Sequence, residues 1–166
     1  MTDKYAKERY DPALAHCTSL ELAFDGRHLT MRGGRKTCTY PAVSGRALPD
    51  GKFDYSQATQ KRGFSGPIPE GKYWIRPDEL WELVWWKKPF VNENAWGKYR
   101  IAIHPFTTTV TFKRGGFFIH GGTIPGSAGC IDLTSHMIKF VNDLKKEGAL
   151  RKCQIHLRVD YPETKP

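Results

Sequence analysis

A histidine and a cysteine with the potential for covalent chemistry lie in one glycine-rich segment, Phe118-Ile-His120-Gly-Gly-Thr-Ile-Pro-Gly-Ser127-Ala-Gly-Cys130. The thiolate is the reactive form of cysteine, and a neighbouring imidazole can take the thiol proton and later return it to a leaving amine. Glycine has no Cβ and tolerates positive φ, so the four glycines of this segment allow sharp turns and close approach of a substrate. The pattern predicts Cys130 as a nucleophile, His120 as its base, and backbone N–H groups near Cys130 as donors to an oxyanion.

The segments on either side would hold this pair in place. Residues 117–120 predict a short strand that delivers His120 at its end. After Cys130, Thr134 or Ser135 can cap a helix that runs to about Glu147, where Gly148 ends it. The apolar positions of this helix are spaced i, i+3, i+4 and i+7, as one buried helical face requires: Met137, Phe140, Val141 and Leu144.

Short strand patterns separated by glycine turns dominate the rest of the chain. A loop rich in Gly and Pro occupies residues 44–71 and could border a cleft, whereas residues 78–86 fit either a helix or a strand. We therefore expect a mainly β fold, a sandwich or barrel with one amphipathic helix after the cysteine. The strands are predicted at residues 20–24, 29–32, 36–40, 72–76, 97–104, 107–112 and 153–161.

The size and composition of the chain predict a single folded domain. The 166 residues are 39% hydrophobic and 13% aromatic, enough to bury one compact core, and no repeat or linker divides them. Residues 1–18 are expected to form a loosely ordered arm, and residues 19–166 the domain itself.

The net charge of +9 favours an anionic partner such as a nucleic acid, a membrane surface or an acidic wall polymer. The basic residues are scattered and form no stripe or known module, so we expect no nucleic-acid partner. No apolar run is long enough for insertion into a membrane. The polar first ten residues lack the apolar core of a secretory signal, which predicts synthesis in the cytoplasm without a signal peptide.

Four cysteines are too few for a disulfide scaffold in a domain of this size. A disulfide between Cys17 and Cys38 is one alternative if the protein works in an oxidising compartment. Cys153 falls on the apolar face of the last predicted strand.

The glycine-rich segment also resembles the motif of the L,D-transpeptidase catalytic domain family, which is His-Gly, a variable loop and then Ser-x-Gly-Cys. His120-Gly121 and Ser127-Ala-Gly-Cys130 match it in order, and Gly66-Pro-Ile-Pro-Glu-Gly71-Lys-Tyr resembles the Pro-x-Gly-x-Phe/Tyr strand entry of that family. The next strand of the family is matched by Trp96-Gly97 through His104. The resemblance covers about residues 20–161 and is nearest to type VI secretion L,D-transpeptidase effectors, small toxins delivered into competing bacteria.

This resemblance implies a substrate and a role for each matched residue. The cysteine of the family attacks the bond between diaminopimelate and D-alanine in a peptidoglycan tetrapeptide stem, releases D-alanine and passes the acyl group to an amine or to water. Cys130 would be the nucleophile and His120 the base, while Ser127, Gly129 and Gly121 would fix the histidine and the oxyanion site. No cofactor is implied.

Partners and location are implied by the same resemblance. An effector of this subgroup is expected to have a cognate immunity protein that plugs its cleft and to meet components of the secretion apparatus. It would act in the periplasm of a target cell, because a wall enzyme without an export signal needs another route there.

Two positions depart from the motif of the wider family. Many members have His between Ser and Gly and Arg two residues after the cysteine, where this chain has Ala128 and Asp132. Asp132 could hold another polar group or begin the helix, and substrate handling would differ accordingly. Arg100 and His104 are the further candidates for contacts with the stem peptide.

Two other functions remain open at this stage. A zinc-dependent hydrolase would recruit His104, His120, Cys130 and His136, although their spacing is unlike that of structural zinc sites. A wall-binding module without catalysis would use the positive charge and exposed tryptophans to hold glycan. The residues themselves favour the thiol enzyme and no metal.

Overall fold

The computed structural model describes residues 11–84 and 92–162. Its strands form one continuous sheet in the order β3-β2-β1-β10-β5-β7-β8-β9-β4, with β6 paired to β7, and the sheet curls into a nearly closed barrel. Only one helix in these ranges is longer than a single turn, so the predicted mainly β fold class is confirmed. The strands are β1 His16–Phe24, β2 His28–Arg32, β3 Cys38–Pro41, β4 Val43–Ser44, β5 Gly71–Ile75, β6 Trp81–Glu82, β7 Tyr99–Pro105, β8 Phe117–His120, β9 Ile131–Asp132 and β10 Gln154–Val159, and the helices are α1 Gln57–Gln60, α2 Glu93–Trp96 and α3 Met137–Lys146.

The beginning and the end of the domain meet in the middle of the sheet. β1 pairs in parallel with β10, and β2 and β3 continue from β1 as the predicted meander. A disulfide joins Cys17 to Cys153, with 5.0 Å between their Cα atoms. The bridge to Cys38 that the sequence left open is therefore not formed. Cys38 is a free, buried thiol.

The helix after the cysteine closes the core. Met137, Phe140, Val141 and Leu144 are all buried, as their spacing predicts, and pack with the inward residues of the sheet. α3 is preceded by a 3₁₀ turn at Thr134–His136 and ends before Gly148, whose φ of +66° favours glycine. The predicted position of this helix and its predicted buried face are both confirmed.

Three expectations about secondary structure change. Residues 107–112 are not a strand, because the backbone turns after β7 and Phe112 and Lys113 both have positive φ. The ambiguous stretch contains a 3₁₀ turn, Pro77–Glu79, and the short strand β6, while Trp85 and Trp86 lie outside the described residues. β1 begins at His16, so residues 16–18 of the predicted arm belong to a strand.

The longest helix in the described ranges has ten residues, and none there could traverse a bilayer.

Candidate active site

Three adjacent strands bring most of the predicted residues onto one face of the sheet. Arg100 on β7 lies opposite His120 on β8, and His120 lies beside Asp132 on β9. Because side chains alternate along a strand, Cys130 shares the face of Asp132, whereas Ile131 points into the core. The strand spacing and rise place the Cα atoms of His120 and Cys130 roughly 8 Å apart. The two residues are thus diagonal neighbours on the same face.

The imidazole of His120 is buried and has a defined orientation. Its Nδ1 lies 2.6 Å from the carbonyl oxygen of Gly121, and its side chain is only 3% exposed. A carbonyl can only accept a hydrogen bond, so Nδ1 carries the hydrogen and Nε2 is the basic nitrogen of the neutral ring. The ring of Trp96 packs against it at 5.0 Å between centroids. The imidazole is therefore held in the tautomer that leaves Nε2 to accept a proton.

Asp132 is the third member of this group. It is fully buried, and its Oδ1 lies 3.9 Å from Nδ1 of His120. Oδ2 accepts a hydrogen bond from the N–H of Gly126, and Oδ1 accepts one from the N–H of Thr134. Burial raises the pKa of this carboxyl, while the two N–H groups and His120 act in the opposite direction. Asp132 thus both holds the glycine-rich loop and begins the turn before α3, the two possibilities left open by the sequence.

The thiol of Cys130 is buried in this structure. It is 7% exposed, and its Sγ lies 4.0 Å from the carbonyl oxygen of Gly116. Burial raises the pKa of Cys130 to about 12, although the backbone N–H of Phe118 acts against this rise. Among the described residues, Sγ makes no hydrogen bond with His120. A proton transfer from Cys130 to His120 would therefore require the thiol to turn toward the imidazole.

This buried thiol should show a steep pH dependence in its alkylation. We expect the rate of reaction of Cys130 with iodoacetamide to rise about tenfold per pH unit up to at least about pH 10, because the thiolate fraction grows in that proportion below the pKa. Site-resolved mass spectrometry would measure it, with Cys38 followed in the same digest. A plateau near the ordinary thiol pKa of about 8.5 would contradict the expectation.

The loop before Cys130 is fixed by hydrogen bonds at both ends. The N–H of Ser127 donates to the carbonyl of Gly45, and the Ser127 hydroxyl donates to the carbonyl of Cys130 at 2.7 Å. Gly129 has a φ of +117°, in the region that favours glycine. The backbone N–H groups of Gly129 and Cys130 take part in none of the hydrogen bonds described. They are available for an acceptor on a substrate.

Gly121 is required by close packing under the histidine. A Cβ on this residue would lie 2.7 Å from the carbonyl oxygen of Thr134 and 2.8 Å from Cβ of Met137. The start of α3 therefore packs directly on the backbone that accepts the hydrogen bond from His120.

Arg100 lies in a cage of aromatic rings beside His120. Its guanidinium carbon is 4.3 Å from the ring centroid of Trp81, 5.1 Å from that of Trp96 and 5.4 Å from that of Phe118. The side chain is half-buried. No hydrogen bond or ion pair of the described residues involves its guanidinium, which leaves several N–H donors for an anion.

The structure does not bring His104 to this group. It is 2% exposed, its Nε2 lies 2.9 Å from Oε1 of Glu79, and its ring stacks on Trp74 at 4.5 Å. The residues 11–84 and 92–162 also contain no group of three His, Cys, Asp or Glu side chains arranged to hold a metal ion.

Sequence reasoning missed Glu79 and Arg114. Arg114 precedes the turn into β8, and its guanidinium donates to backbone carbonyls of the loop before β5 and of Ala128. A basic residue in a polar turn is ordinarily solvated, and the partners of Arg114 in the loop before β5 are about fifty positions away in the chain. No local pattern could have indicated these contacts.

A family model for the Tlde1 domain matches residues 40–155, well over half of the chain. The chain belongs to the Tlde1 domain family. This is a family of type VI secretion effectors related to L,D-transpeptidases, and the match supports the effector class for this chain. Members of such a family are secreted and fit an immunity protein as partner. Arg100, Arg114, His120, Cys130 and Asp132 all lie within the part that matches the Tlde1 model.

A solved structure adds a likeness of fold. Bd1075 of Bdellovibrio bacteriovorus is 18% identical, with a TM-score of 0.51 over 94% of this chain and 52% of that chain. The chain thus spans about half the length of that protein, and the likeness concerns the fold alone. No curated protein matches the chain.

Proposed function

We propose that this chain is a cysteine enzyme that cleaves the diaminopimelate to D-alanine bond of peptidoglycan tetrapeptide stems. It would act as an L,D-carboxypeptidase, as an L,D-transpeptidase that exchanges D-alanine for another D-amino acid, or as both. The observation that carries the proposal is the common face shared by His120 on β8, Asp132 on β9 and Cys130 directly before β9. A nucleophile, a base with a fixed tautomer and an adjacent carboxylate are the parts that acyl transfer requires.

The reaction begins when the thiol turns from Gly116 toward Nε2 of His120 and gives up its proton. The sulfur attacks the carbonyl carbon of the diaminopimelate residue, and the oxygen of the tetrahedral intermediate accepts hydrogen bonds from the N–H groups of Gly129 and Cys130. The imidazolium, stabilised by Asp132, then donates its proton to the nitrogen of D-alanine as the carbon–nitrogen bond breaks. A thioester of Cys130 remains.

The molecule that accepts the acyl group determines whether the activity is that of a carboxypeptidase or a transpeptidase. Water attacking the thioester releases a tripeptide stem, whereas the amine of a D-amino acid forms a new peptide bond at the same carbon. His120 in its neutral form takes the proton of either acceptor, and the thiolate of Cys130 leaves and receives that proton from His120. Both outcomes use one intermediate and the same residues.

Arg100 is proposed to bind the carboxylate of the terminal D-alanine. Its guanidinium has unfilled donors, and the aromatic cage lowers the local polarity, which strengthens a charge-assisted hydrogen bond to a carboxylate. Its position opposite His120 would place the leaving amino acid beside the group that protonates it. The substrate class is then a peptide with a free terminal carboxylate.

Replacing Arg100 by glutamine should raise KM for a tetrapeptide about tenfold or more, because a hydrogen bond to a charged group contributes about 1.5–3 kcal/mol. Steady-state kinetics on the tetrapeptide and on its C-terminal amide would measure the change. The wild type should prefer the carboxylate, the variant should not, and Arg151→Gln, an exposed control, should behave as wild type. Unchanged discrimination in Arg100→Gln would refute the role.

Delivery to a target periplasm is part of the proposal. The family supports secreted type VI effectors. The disulfide between Cys17 and Cys153 supports an oxidising compartment as the place of action, since such bonds persist there and are rare in the cytosol. Immunity-protein and secretion-apparatus partners follow from the same family.

The proposal is tested by incubating the protein with purified tetrapeptide muropeptides, with and without a free D-amino acid, followed by mass spectrometry. Tripeptide products would report water as the acceptor, exchanged tetrapeptides a D-amino acid, and dimers the amine of a second stem. Muropeptides that remain unchanged under all these conditions would refute the proposed activity.

A further inference from the structure

Arg114 connects two loops that border the nucleophile. Its Nη1 donates to the carbonyls of Gln60 and Pro67, the latter at 2.7 Å, and its Nη2 donates to the carbonyl of Gly66 at 2.9 Å. The same Nη2 lies 3.4 Å from the carbonyl oxygen of Ala128, two residues before Cys130. One guanidinium therefore fixes the proline-rich loop and also contacts the loop that carries the nucleophile.

The contact with Ala128 orients one peptide unit. In a trans peptide the C=O and the following N–H point in opposite directions. With the Ala128 carbonyl directed at Arg114, the N–H of Gly129 is directed to the other side. A Cβ at Gly129 would lie 2.7 Å from Nη2 of Arg114 and 2.9 Å from the ring of Phe117, so the guanidinium approaches this backbone closely.

The positive charge of Arg114 also affects the pKa of the Cys130 thiol. Burial raises the pKa of Cys130, and the positive charges of Arg100 and Arg114 act against that rise. The guanidinium packs over the ring of Phe117 at 5.6 Å, which limits its contact with water and so the screening of its charge. A lysine could supply the charge but not the planar fork that bonds several carbonyls at once.

We propose that Arg114 is a positioning residue that holds the Ala128–Gly129 peptide so that the N–H groups of Gly129 and Cys130 form the oxyanion site. The inference rests on the proposed acyl transfer at Cys130 and deepens it. Neither the motif around His120 and Cys130 nor the family match assigns this arginine a role.

Kinetics of Arg114→Lys and Arg114→Gln test the positioning role, with Lys113→Gln as an exposed neighbouring control. Both Arg114 variants should lower kcat on tetrapeptide stems about 100-fold, the usual cost of a lost oxyanion donor, with KM changed much less. The control should match the wild type. Thermal unfolding of each variant would show which of them fold. If Arg114→Gln does not fold, the kcat of Arg114→Lys, which keeps the charge, tests the positioning role by itself.

Alkylation of Cys130 by iodoacetamide provides a second readout that needs no substrate. Arg114→Gln should react more slowly at a fixed pH, because loss of a nearby positive charge raises the pKa of the thiol. Arg114→Lys should react at nearly the wild-type rate despite its low kcat. A looser loop would speed the reaction, so a slower one cannot come from disorder.

A kcat within about twofold of wild type in both Arg114 variants would overturn the inference. Failure of the proposed function would look different. In that case the wild type itself would leave tetrapeptides intact, while the alkylation rates would still report whether Arg114 acts on Cys130.

Discussion

Replacing Cys130 by alanine should abolish the formation of tripeptide and exchanged products from tetrapeptide stems. The loss should be about 10⁴-fold or more, because removal of a catalytic nucleophile leaves only binding and oxyanion stabilisation. Sγ of Cys130 is the described thiol on the face of His120 and Asp132, whereas Cys38 is on β3, which pairs with β2. Quantitative mass spectrometry of muropeptides would measure the effect.

The controls for this experiment separate catalysis from folding and binding. Cys38→Ala removes the other free buried thiol and should keep full activity. Cys130→Ala should bind purified sacculi as the wild type does, which would also distinguish the enzyme from a wall-binding module. Full activity of Cys130→Ala on tetrapeptides would show that the central proposal is wrong.

Reduction of the disulfide between Cys17 and Cys153 should destabilise the domain substantially. The bridge spans a sequence separation of 136 residues, so it restricts almost the whole unfolded chain. Its loss should lower the free energy of unfolding by about 2–4 kcal/mol. For a domain of this size that corresponds to a fall in Tm of roughly 5–15 °C. Thermal unfolding with and without a reductant, followed by circular dichroism, would measure it.

A variant without the bridge gives the matched control. The double substitution Cys17→Ser and Cys153→Ser should unfold at the lower temperature whether or not reductant is present. Cys38→Ser should retain the response to reductant, since Cys38 is a free thiol. Identical Tm values for oxidised and reduced wild type would contradict a stabilising role.

Local patterns were sufficient to predict the elements nearest the site. The apolar spacing of Met137, Phe140 and Leu144 predicted α3, because a helix that covers a core must bury one face. Residues 117–120 predicted β8, and the glycines after it predicted the turns that follow. The proximity of His120 and Cys130 follows from this strand, loop and helix, which are contiguous in the chain.

Features that depend on distant pairing could not be predicted in this way. The parallel pairing of β1 with β10 decides which cysteine faces Cys17, and no local pattern reports it. The same holds for Arg114, whose partners in the loop before β5 come from about fifty residues earlier. It also holds for Glu79, whose carboxylate forms a hydrogen bond with His104. Residues 107–112 show the opposite failure, since their β-branched composition favours a strand but the chain turns there.

The buried thiol has a further consequence for the lifetime of the protein. Peroxides and disulfides react with thiolates, and exposed low-pKa cysteines are the first to be converted to sulfenic acid or mixed disulfides. Burial raises the pKa of Cys130 and so disfavours its thiolate. We therefore expect the buried Cys130 thiol to react slowly with peroxides and disulfides, and to act as the proposed nucleophile only once a partner accepts its proton.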